Sequence, residues 1–307
     1  MAEVVIAIPT FRRPKSLARL LDALEKLKTL RSILVLVADN DAENHEGHDL
    51  CQGLRARFRW PLESVIVPQR GIAQVRNALV ARALKVKGAK FIAMIDDDEW
   101  PSEDWLDRFL RVQAATKADA LQGSILFAHE AENDWAKEHE GLSSIRRATG
   151  VVDMLQGAGN ILLTRDCLEA LEAPWFDPAF ALTGGEDREF FVRLAQAGMR
   201  FAWADEAVAF ADVPAARLNL KWILKRAYSV GNSDMRVTLK HFPGRLRMTR
   251  ELAVIAGAFV VSPVLLLALG YQQKRRLDAL TLMSRAAGKT VALFGRRYDA
   301  YSVTHGE

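Results

Sequence analysis

The first 130 residues alternate between short apolar runs and longer amphipathic stretches. Four runs are rich in β-branched residues and predict strands that are buried on both faces. They lie at 4–8, 33–37, 65–67 and 91–95. Between them, leucines at helical spacing predict a helix that begins near Pro14, and residues 72–86 predict another. Strands that alternate with helices predict βαβ units in a mostly parallel sheet, where ligands bind beyond the carboxyl ends of the strands.

An uncharged segment of 19 residues, LAVIAGAFVVSPVLLLALG, lies at 252–270. Its length just reaches the roughly 20 residues that a membrane-spanning helix needs. A spanning helix carries its lysine and arginine excess on one side, whereas here basic residues flank both ends. The flanks therefore predict a re-entrant hairpin that is broken at Pro263, with both ends among cytoplasmic headgroups. A buried core helix is the alternative.

The composition narrows the class of protein. The chain has 307 residues, of which 50% are hydrophobic, and this excludes disordered and fibrous proteins. Cys51 and Cys167 supply neither a disulfide framework nor a cysteine-rich zinc site. The first apolar run begins at residue 4 without a preceding basic region and apolar leader, so export is not expected.

Charge divides the chain into two parts. Residues 1–214 carry a net charge of −7, and residues 215–307 carry +11. We therefore predict a catalytic domain over 1–214 and a basic, helical, membrane-associated region over 215–307. On charge alone the anionic partner of this region is a lipid surface or a nucleic acid, or the positive charge is merely solvated.

Two common nucleotide-binding motifs are missing after the first strand. Neither a Gly-x-Gly-x-x-Gly nor a Gly-x-x-x-x-Gly-Lys occurs there, so the ordinary dinucleotide and P-loop classes lose their main support.

Residues 128–150 form a polar stretch that predicts a long loop. His129 and His139 in this loop are candidate metal ligands, although exposed loop histidines are more common.

Three consecutive carboxylates follow the predicted strand at 91–95. Side chains alternate along a strand, so Asp96 and Asp98 point to the same side if the extended geometry persists through Asp97. Neighbouring carboxylates repel one another unless a cation offsets them, and this spacing suits Mg²⁺ or Mn²⁺ with phosphate oxygens. The alternative is a solvated acidic turn that leads into a helix capped at Ser102.

A second acidic motif, Gly184-Gly185-Glu186-Asp187, opens a helix with an apolar side. The glycines allow close approach of the backbone, and a carboxylate here can accept a proton from a hydroxyl nucleophile. The alternative is a helix cap with first-turn acids.

Polar residues also follow the first two strands. An aromatic ring such as Phe11 can stack on a base, an aspartate such as Asp39 can accept from a base N–H, and Arg13 can meet a phosphate. Arg70 and Arg76 add positive charge near the end of the third strand.

Together these motifs resemble the family 2 glycosyltransferases, inverting enzymes of the GT-A fold that use nucleotide-diphosphate sugars. The resemblance covers roughly residues 3–240 and is strongest to bacterial enzymes of exopolysaccharide synthesis. It rests on these motifs in order: Ile-Pro-Thr-Phe-Arg-Arg-Pro, Val-Ala-Asp-Asn-Asp, Arg-Gly-Ile-Ala-Gln-Val-Arg-Asn at 70–77, Asp-Asp-Asp-Glu, Gly-Ala-Gly-Asn at 157–160, and Gly-Gly-Glu-Asp-Arg-Glu-Phe. It implies a Rossmann-like sheet with a helical C-terminal extension.

The resemblance also implies roles for the residues that match these motifs. Phe11 and Asp39 would face the base, Arg76 would approach the nucleotide side of the donor, and Asp96 would lie near the ribose. The nucleotide-binding set is Pro9, Thr10, Phe11, Arg13, Asp39, Arg76, Asp96 and Asp97. Asp98 would bind the Mn²⁺ or Mg²⁺ that holds the diphosphate. The histidine that often completes this metal site is absent, so Asp212 or water would replace it.

On the acceptor side, the resemblance makes Asp187 the general base, with Glu186 beside it. Gly157, Asn160, Gly184 and Gly185 would line the sugar and acceptor pocket. The implied function is a metal-dependent inverting transfer of a sugar, from UDP on family grounds, to a glycan or lipid-linked acceptor in polysaccharide biosynthesis. Such an enzyme would work at the cytoplasmic face of the inner membrane and would not bind nucleic acid.

Two other functions fit parts of the sequence. A sugar-1-phosphate nucleotidyltransferase also uses a parallel sheet and acidic metal ligands, but its phosphate loop is usually richer in glycine than Pro9–Pro14. A non-catalytic sugar-nucleotide-binding protein is the second alternative, and the presence of both Asp98 and Asp187 argues against it.

Overall fold

The computed structural model describes residues 2–129 and 142–300, and its centre is a sheet of nine strands. The strands are β1 (Val4–Thr10), β2 (Ile33–Asp39), β3 (Leu62–Ile66), β4 (Phe91–Ile95), β5 (Glu99–Pro101), β6 (Ala120–His129), β7 (Gly150–Val152), β8 (Asn160–Thr164) and β9 (Phe201–Val213). Their order is β3-β2-β1-β4-β8-β6-β9-β5, and β7 pairs with β9.

The two halves of the sheet differ in strand direction. β3, β2, β1 and β4 are parallel, as the alternation of strands and helices predicts. In the other half β8 is antiparallel to both of its neighbours, and β6 is parallel to β9. The parallel half brings the carboxyl ends of β1, β2 and β4 to one edge, where the predicted site residues lie.

Helices cover the sheet and continue beyond it. They are α1 (Pro14–Glu25), α2 (Glu46–Leu54), α3 (Ile72–Ala83), α4 (Trp105–Thr116), α5 (Arg165–Glu169), α6 (Glu186–Gln196), α7 (Leu220–His241), α8 (Arg245–Leu269) and α9 (Gln273–Leu293). The predicted leucine stripe of α1 is buried against one face of the sheet, in a core with α4. The aromatic residues of α6 are buried against the other face.

Strand β5 was not predicted, and it displaces the start of α4. The sequence predicted a cap at Ser102, but β5 extends to Pro101 and α4 begins at Trp105 with Asp104 at its cap position. The Ser102 hydroxyl instead donates to Asp104 Oδ1 at 3.1 Å. The pairing of β5 with β9 explains the shift, because this ladder holds the chain extended for three more residues.

The predicted polar loop is only partly described. Its first residues belong to β6, which ends at His129, and Ile145 forms an isolated antiparallel bridge with Ile125. His139 lies outside the described residues, and only the backbone of His129 is described. The histidine metal site therefore stays a prediction.

The region after β9 is helical, and α9 packs against both α7 and α8. Two glycines allow the backbones of α7 and α9 to approach closely. A Cβ at Gly231 would lie 2.0 Å from Arg285 O, and one at Gly288 would lie 2.0 Å from Tyr228 O. The division at 214/215 stays a prediction, although the last strand ends at Val213.

The apolar segment lies in one continuous helix, so the predicted break at Pro263 is wrong. Pro263 lies inside α8, whose 25 residues make it long and apolar enough to cross a membrane. A proline removes a single N–H from the hydrogen-bond ladder, and the helix continues past it. Only 17% of the most apolar 18-residue window is buried, which argues against a core helix. The buried stripe consists of Glu251, Ile255, Ala258 and Ser262.

Candidate active site

The three aspartates after β4 lie on a turn. The strand ends at Ile95, and the Glu99 N–H donates to Asp96 O at 3.1 Å. The extended geometry therefore does not persist, and Asp96 and Asp98 contact different partners. Asp96 accepts from Arg76 at 3.0 Å, whereas Asp98 accepts from Arg13 at 2.7 Å.

The middle aspartate faces the protein interior. Asp97 is buried and accepts from the Thr10 hydroxyl at 2.8 Å and from Arg13 Nη1 at 3.1 Å. Burial raises the pKa of Asp97 to about 7, and the nearby Arg13 opposes this rise. These hydrogen bonds join the end of β1 to the turn after β4. Pro9 is buried in β1 next to Thr10.

Asp98 is the partly exposed member of the three. Its Oδ2 lies 2.7 Å from Arg13 Nη1, shortly after β1, and 3.7 Å from Arg217 Nη2, shortly after β9. Burial lowers the pKa of Arg13, but Asp98 and Asp97 outweigh it, so the pKa is raised and the side chain stays charged. Positive charge therefore lies directly beside the Asp98 carboxylate.

Arg76 connects the two acidic motifs. This residue of α3 is only 4% exposed; its Nη1 donates to Glu186 Oε1 at 2.9 Å and its Nη2 to Asp96 Oδ1 at 3.0 Å. Burial lowers its pKa, but Asp96 and Glu186 outweigh burial and raise it. The resemblance predicted that Arg76 approaches the nucleotide. In the structure both of its terminal nitrogens donate to carboxylates, and the nucleotide contact stays a prediction.

Glu186 and Asp187 begin α6 in different surroundings. Glu186 is buried, and burial together with Asp187 raises its pKa to about 7 against the effect of Arg76. Asp187 is half-buried, and its Oδ1 accepts from the Arg188 N–H at 2.7 Å. A Cβ on Gly157 would lie 3.5 Å from Asp187 Oδ2. Asp187 Oδ2 therefore faces the loop that was predicted to line the sugar pocket.

The two glycines before α6 are required by the backbone and by α7. Gly184 and Gly185 have φ angles of +74° and +93°, which side chains rarely adopt. A Cβ on Gly185 would also lie 2.7 Å from Ser233 Cβ, and the Ser233 hydroxyl donates to Gly184 O at 2.9 Å. These contacts show that the pair allows α6 to pack against α7, and its place in the sugar and acceptor pocket stays a prediction.

The loop from 157 to 159 lies against the acidic turn. The Asp96 N–H donates to Gly159 O at 3.0 Å, and a Cβ on Gly159 would lie 2.7 Å from Glu99 Oε1. Glu99 was quoted in the motif but given no role. Burial raises its pKa well above the ordinary value, and Asp96 and Asp98 add to the rise.

Asn160 anchors this loop from below. It is fully buried; its Nδ2 donates to Ser124 O at 2.9 Å and Ala207 O at 3.0 Å, and its Oδ1 accepts from Trp105 Nε1 at 2.7 Å. Its amide is therefore engaged by protein groups, and its predicted place in the sugar pocket stays a prediction.

The predicted base-binding residues lie at the ends of β1 and β2. The Phe11 ring is flanked by the guanidinium groups of Arg12 and Arg70, 5.0 and 5.1 Å from its centroid. Asp39 is buried and accepts from the backbone N–H groups of Asp41 and His48. Asp39 thus holds the loop before α2, whereas Phe11 is partly exposed.

Sequence reasoning missed Asn40, which joins two loops at this edge. Its amide nitrogen donates to Val67 O and Gln69 O, and its Oδ1 accepts from the Gly71 N–H at 2.7 Å. The Asp-Asn-Asp motif placed Asn40 at the edge but did not predict this bridge. Sequence reasoning also missed Arg217, which lies shortly after β9 and beyond the stretch 207–212 in which the family's histidine was sought.

Asp98 fits a divalent metal that takes its remaining ligands from substrate and water. Among the described residues no three His, Cys, Asp or Glu side chains converge as a metal-binding group. Asp212, the expected substitute ligand, forms an ion pair with Arg19. Mg²⁺ is commonly held by one or two carboxylates together with substrate phosphates, however, and the partly exposed oxygens of Asp98 suit that arrangement.

Two family models match the chain. The model "Glycosyl transferase family 2" covers residues 5–167, and "Glycosyl transferase family group 2" covers residues 91–285. The succinoglycan biosynthesis protein ExoM of Rhizobium meliloti is 31% identical over 82% of the chain and 80% of ExoM. Chondroitin synthase of Escherichia coli is 23% identical over 70% of the chain but only 35% of its own length.

Solved structures show the same fold at low sequence identity. The mannosyltransferase PcManGT from Pyrobaculum calidifontis, in complex with GDP-Man and Mn²⁺, has a TM-score of 0.64 at 16% identity and covers 96% of this chain and 88% of its own. S. aureus TarS 1–349 in complex with UDP has a TM-score of 0.53 at 13% identity, with coverages of 99% and 95%. The GT-A architecture expected from the sequence is therefore confirmed.

Proposed function

The chain belongs to glycosyltransferase family 2, and we propose that it transfers a sugar from a nucleotide-diphosphate sugar to a hydroxyl group of a glycan or lipid-linked acceptor in polysaccharide biosynthesis. One observation carries the proposal: Arg76 joins Asp96, beside Asp98, to Glu186, beside Asp187. A donor-side carboxylate and a candidate base are thus held at one sheet edge. The likeness to ExoM and chondroitin synthase supports a polysaccharide product.

Asp187 is the general base in this proposal. Its Oδ1 is held by the Arg188 N–H, so Oδ2 is the oxygen that takes the proton of the acceptor hydroxyl. The acceptor oxygen forms a bond to the anomeric carbon while the bond from that carbon to the diphosphate breaks on the opposite face. A single carboxylate base suffices for this inversion, because the diphosphate leaves as an anion and needs no general acid. Glu186, the other predicted catalytic residue, is buried and paired with Arg76, which anchors the first residue of α6 next to Asp187.

The donor in this proposal is a UDP-sugar, with Phe11 against the base. UDP is bound in the similar TarS structure, whereas PcManGT holds GDP-Man. Thr10 and Asp39, at the ends of β1 and β2, are themselves held by hydrogen bonds to Asp97 and to the Asp41 N–H.

Asp98 would hold Mn²⁺ or Mg²⁺ at the donor diphosphate. When bound, such a metal neutralises the negative charge that develops on the departing diphosphate. Arg13 fixes the Asp98 carboxylate, and Arg217 adds a second positive charge next to it. Both guanidinium groups thereby favour a diphosphate at this position.

The proposal places the enzyme on the anionic cytoplasmic face of the inner membrane, through α8. This helix exposes apolar side chains along its length, including Val260 and Leu267, and Arg250 and Lys274 lie near its ends. A spanning α8 would draw α9, which packs against it and carries charged residues, into the bilayer. An orientation parallel to the surface leaves the charges of α9 outside.

A donor screen tests the function. The full-length protein and Mn²⁺ are incubated with individual nucleotide-sugars and a lipid-linked glycan acceptor extract. A parallel reaction contains sugar 1-phosphates and nucleoside triphosphates instead, and released nucleoside diphosphate and pyrophosphate are measured separately in both. We expect nucleoside diphosphate together with a glycosidic product. Pyrophosphate release from a sugar phosphate and a nucleoside triphosphate would indicate a nucleotidyltransferase. Donor binding without turnover would indicate a binding protein.

A further inference from the structure

One buried carboxylate joins three helices beside the candidate base. Asp234 lies on α7 and is buried. Its Oδ1 accepts from Arg188 Nη1 on α6 at 2.6 Å, and its Oδ2 accepts from Arg285 Nη2 on α9 at 2.6 Å. Charge-assisted hydrogen bonds of this length are among the strong ones. Arg188 stands in the Gly-Gly-Glu-Asp-Arg-Glu-Phe motif without an assigned role, and Asp234 and Arg285 lie outside the motifs.

Arg188 connects this carboxylate to Asp187. Its side chain is held at Asp234, and its backbone N–H donates to Asp187 Oδ1 at 2.7 Å. Asp234 is itself placed firmly, because the preceding residue, Ser233, donates to Gly184 O and contacts Gly185. The first turn of α6 is therefore fixed to α7 on both sides of the base.

We propose that Asp234 is a positioning residue for the general base, a role that rests on the function proposed above. By holding Arg188, it fixes the backbone N–H that orients Asp187, so that Oδ2 faces the acceptor. The physical reason is the steep dependence of proton transfer on geometry, since a misplacement of about 1 Å can cost on the order of 10²-fold in rate. Asp234 does not touch the substrate in this proposal.

The two arginines provide a matched pair of variants. Arg188 and Arg285 make equal 2.6 Å bonds to the same carboxylate, and their side chains are 41% and 42% exposed. Arg188→Gln and Arg285→Gln therefore remove equivalent ion pairs, but only Arg188 is attached to the base. We expect kcat to fall about tenfold or more in Arg188→Gln, with KM for the donor changed less than twofold. Arg285→Gln should keep kcat within about twofold.

Variants of Asp234 complete a double-mutant cycle. Asp234→Ala should lower kcat as much as Arg188→Gln does. The double variant should be no slower than either single variant, because both changes break the same contact between Asp234 and Arg188. Asp234→Glu should restore part of kcat. Equal losses in Arg188→Gln and Arg285→Gln, additive losses in the double variant, or full kcat in Asp234→Ala would each overturn the proposal.

Two measurements separate this proposal from its premises. Thermal unfolding of each variant shows whether a loss of kcat merely reflects unfolded protein, and Asp234→Asn serves if Asp234→Ala does not fold. Asp187→Asn tests the base directly. An inactive Asp187→Asn with a fully active Asp234→Ala would contradict only the positioning role, whereas a fully active Asp187→Asn would contradict the assignment of the base itself.

Discussion

The edge of the sheet and the C-terminal helices of this protein use charge in opposite ways. At the edge, Asp96, Asp97 and Glu186 are held by buried or half-buried arginines, so each carboxylate has a fixed place. In α8 and α9, basic residues such as Arg275 and Arg276 are exposed beside an apolar surface. Buried ion pairs fix the positions of the side chains at the sheet edge. The exposed basic residues of the C-terminal helices instead stay available to an anionic partner.

The largest effect is expected from breaking the central pair of the edge. Arg76→Met leaves Glu186 buried without its cation, and removal of one partner of a buried pair costs about 3–5 kcal/mol. Urea unfolding followed by circular dichroism measures this free energy. Arg82→Met is the matched control on the same helix, because Arg82 pairs with Glu63 at the surface and should cost about 0–1 kcal/mol. Equal losses would mean that burial does not distinguish the two pairs.

Removal of the base should leave the fold intact and stop the reaction. Asp187→Asn keeps the shape of the side chain but cannot take a proton, so turnover should fall by on the order of 10²-fold or more. Donor affinity, measured by calorimetry, should be unchanged. Asp166→Asn, in the first turn of α5, controls for a lost helix acid and should keep full activity. An active Asp187→Asn would direct attention to Glu186.

Packing in the helical region can be tested with two glycines. A Cβ at Gly288 would lie 2.0 Å from Tyr228 O, so Gly288→Ala should separate α9 from α7 and cost about 1–3 kcal/mol. A Cβ at Gly257 meets no atom within 4 Å among the described residues, so Gly257→Ala in α8 should be neutral or stabilising by up to about 1 kcal/mol. Unfolding free energies of both variants check this contrast, and equal effects would contradict the close approach of α7 and α9.

Much of the fold was predictable from the sequence, because the periodicity of apolar residues indicates which face of a helix or strand is buried. The leucine stripe of α1 and the parallel strands follow from such patterns, and the two acidic motifs contain the carboxylates that Arg76 brings together. Periodicity does not report which way a polar side chain turns at the end of an element. The contacts of the Arg76 guanidinium with Asp96 and Glu186 were therefore not predicted.

Two further differences concern local structure. β5 forms because β9 extends far enough to pair with three residues after the acidic turn, and nothing in those three residues predicts a strand. Pro263 suggested a break, because an interior proline removes one backbone hydrogen bond and its ring crowds the carbonyl one turn earlier. The helix nevertheless continues to Leu269.

The buried edge should also make stability depend on pH. The pKa of Glu186 rises from 4.5 to about 7 on folding, chiefly through burial, so between these values the folded protein holds a proton that the unfolded chain has lost. The free energy of unfolding therefore decreases as pH rises through this window, by up to about 1.4 kcal/mol per pH unit for one such group. Glu186→Gln should flatten this decrease in urea titrations between pH 5 and 7. An unchanged slope would mean that Glu186 does not take up a proton in this window.

The smallest effect concerns the exposed charge near α8. A basic residue close to an anionic membrane contributes about 1 kcal/mol of binding, which corresponds to about fivefold in partitioning. Arg275 is exposed just after α8, so Arg275→Gln should weaken flotation with anionic vesicles by about this factor and leave binding to neutral vesicles unchanged. Arg111→Gln, at an exposed position of α4, is the matched control and should not change partitioning.

A point substitution tests the membrane attraction better than a truncation near Arg250. Such a truncation would remove α9, which packs on α7, and would therefore expose α7. Equal partitioning of wild-type protein to neutral and anionic vesicles would contradict the assignment of the basic residues to an anionic surface.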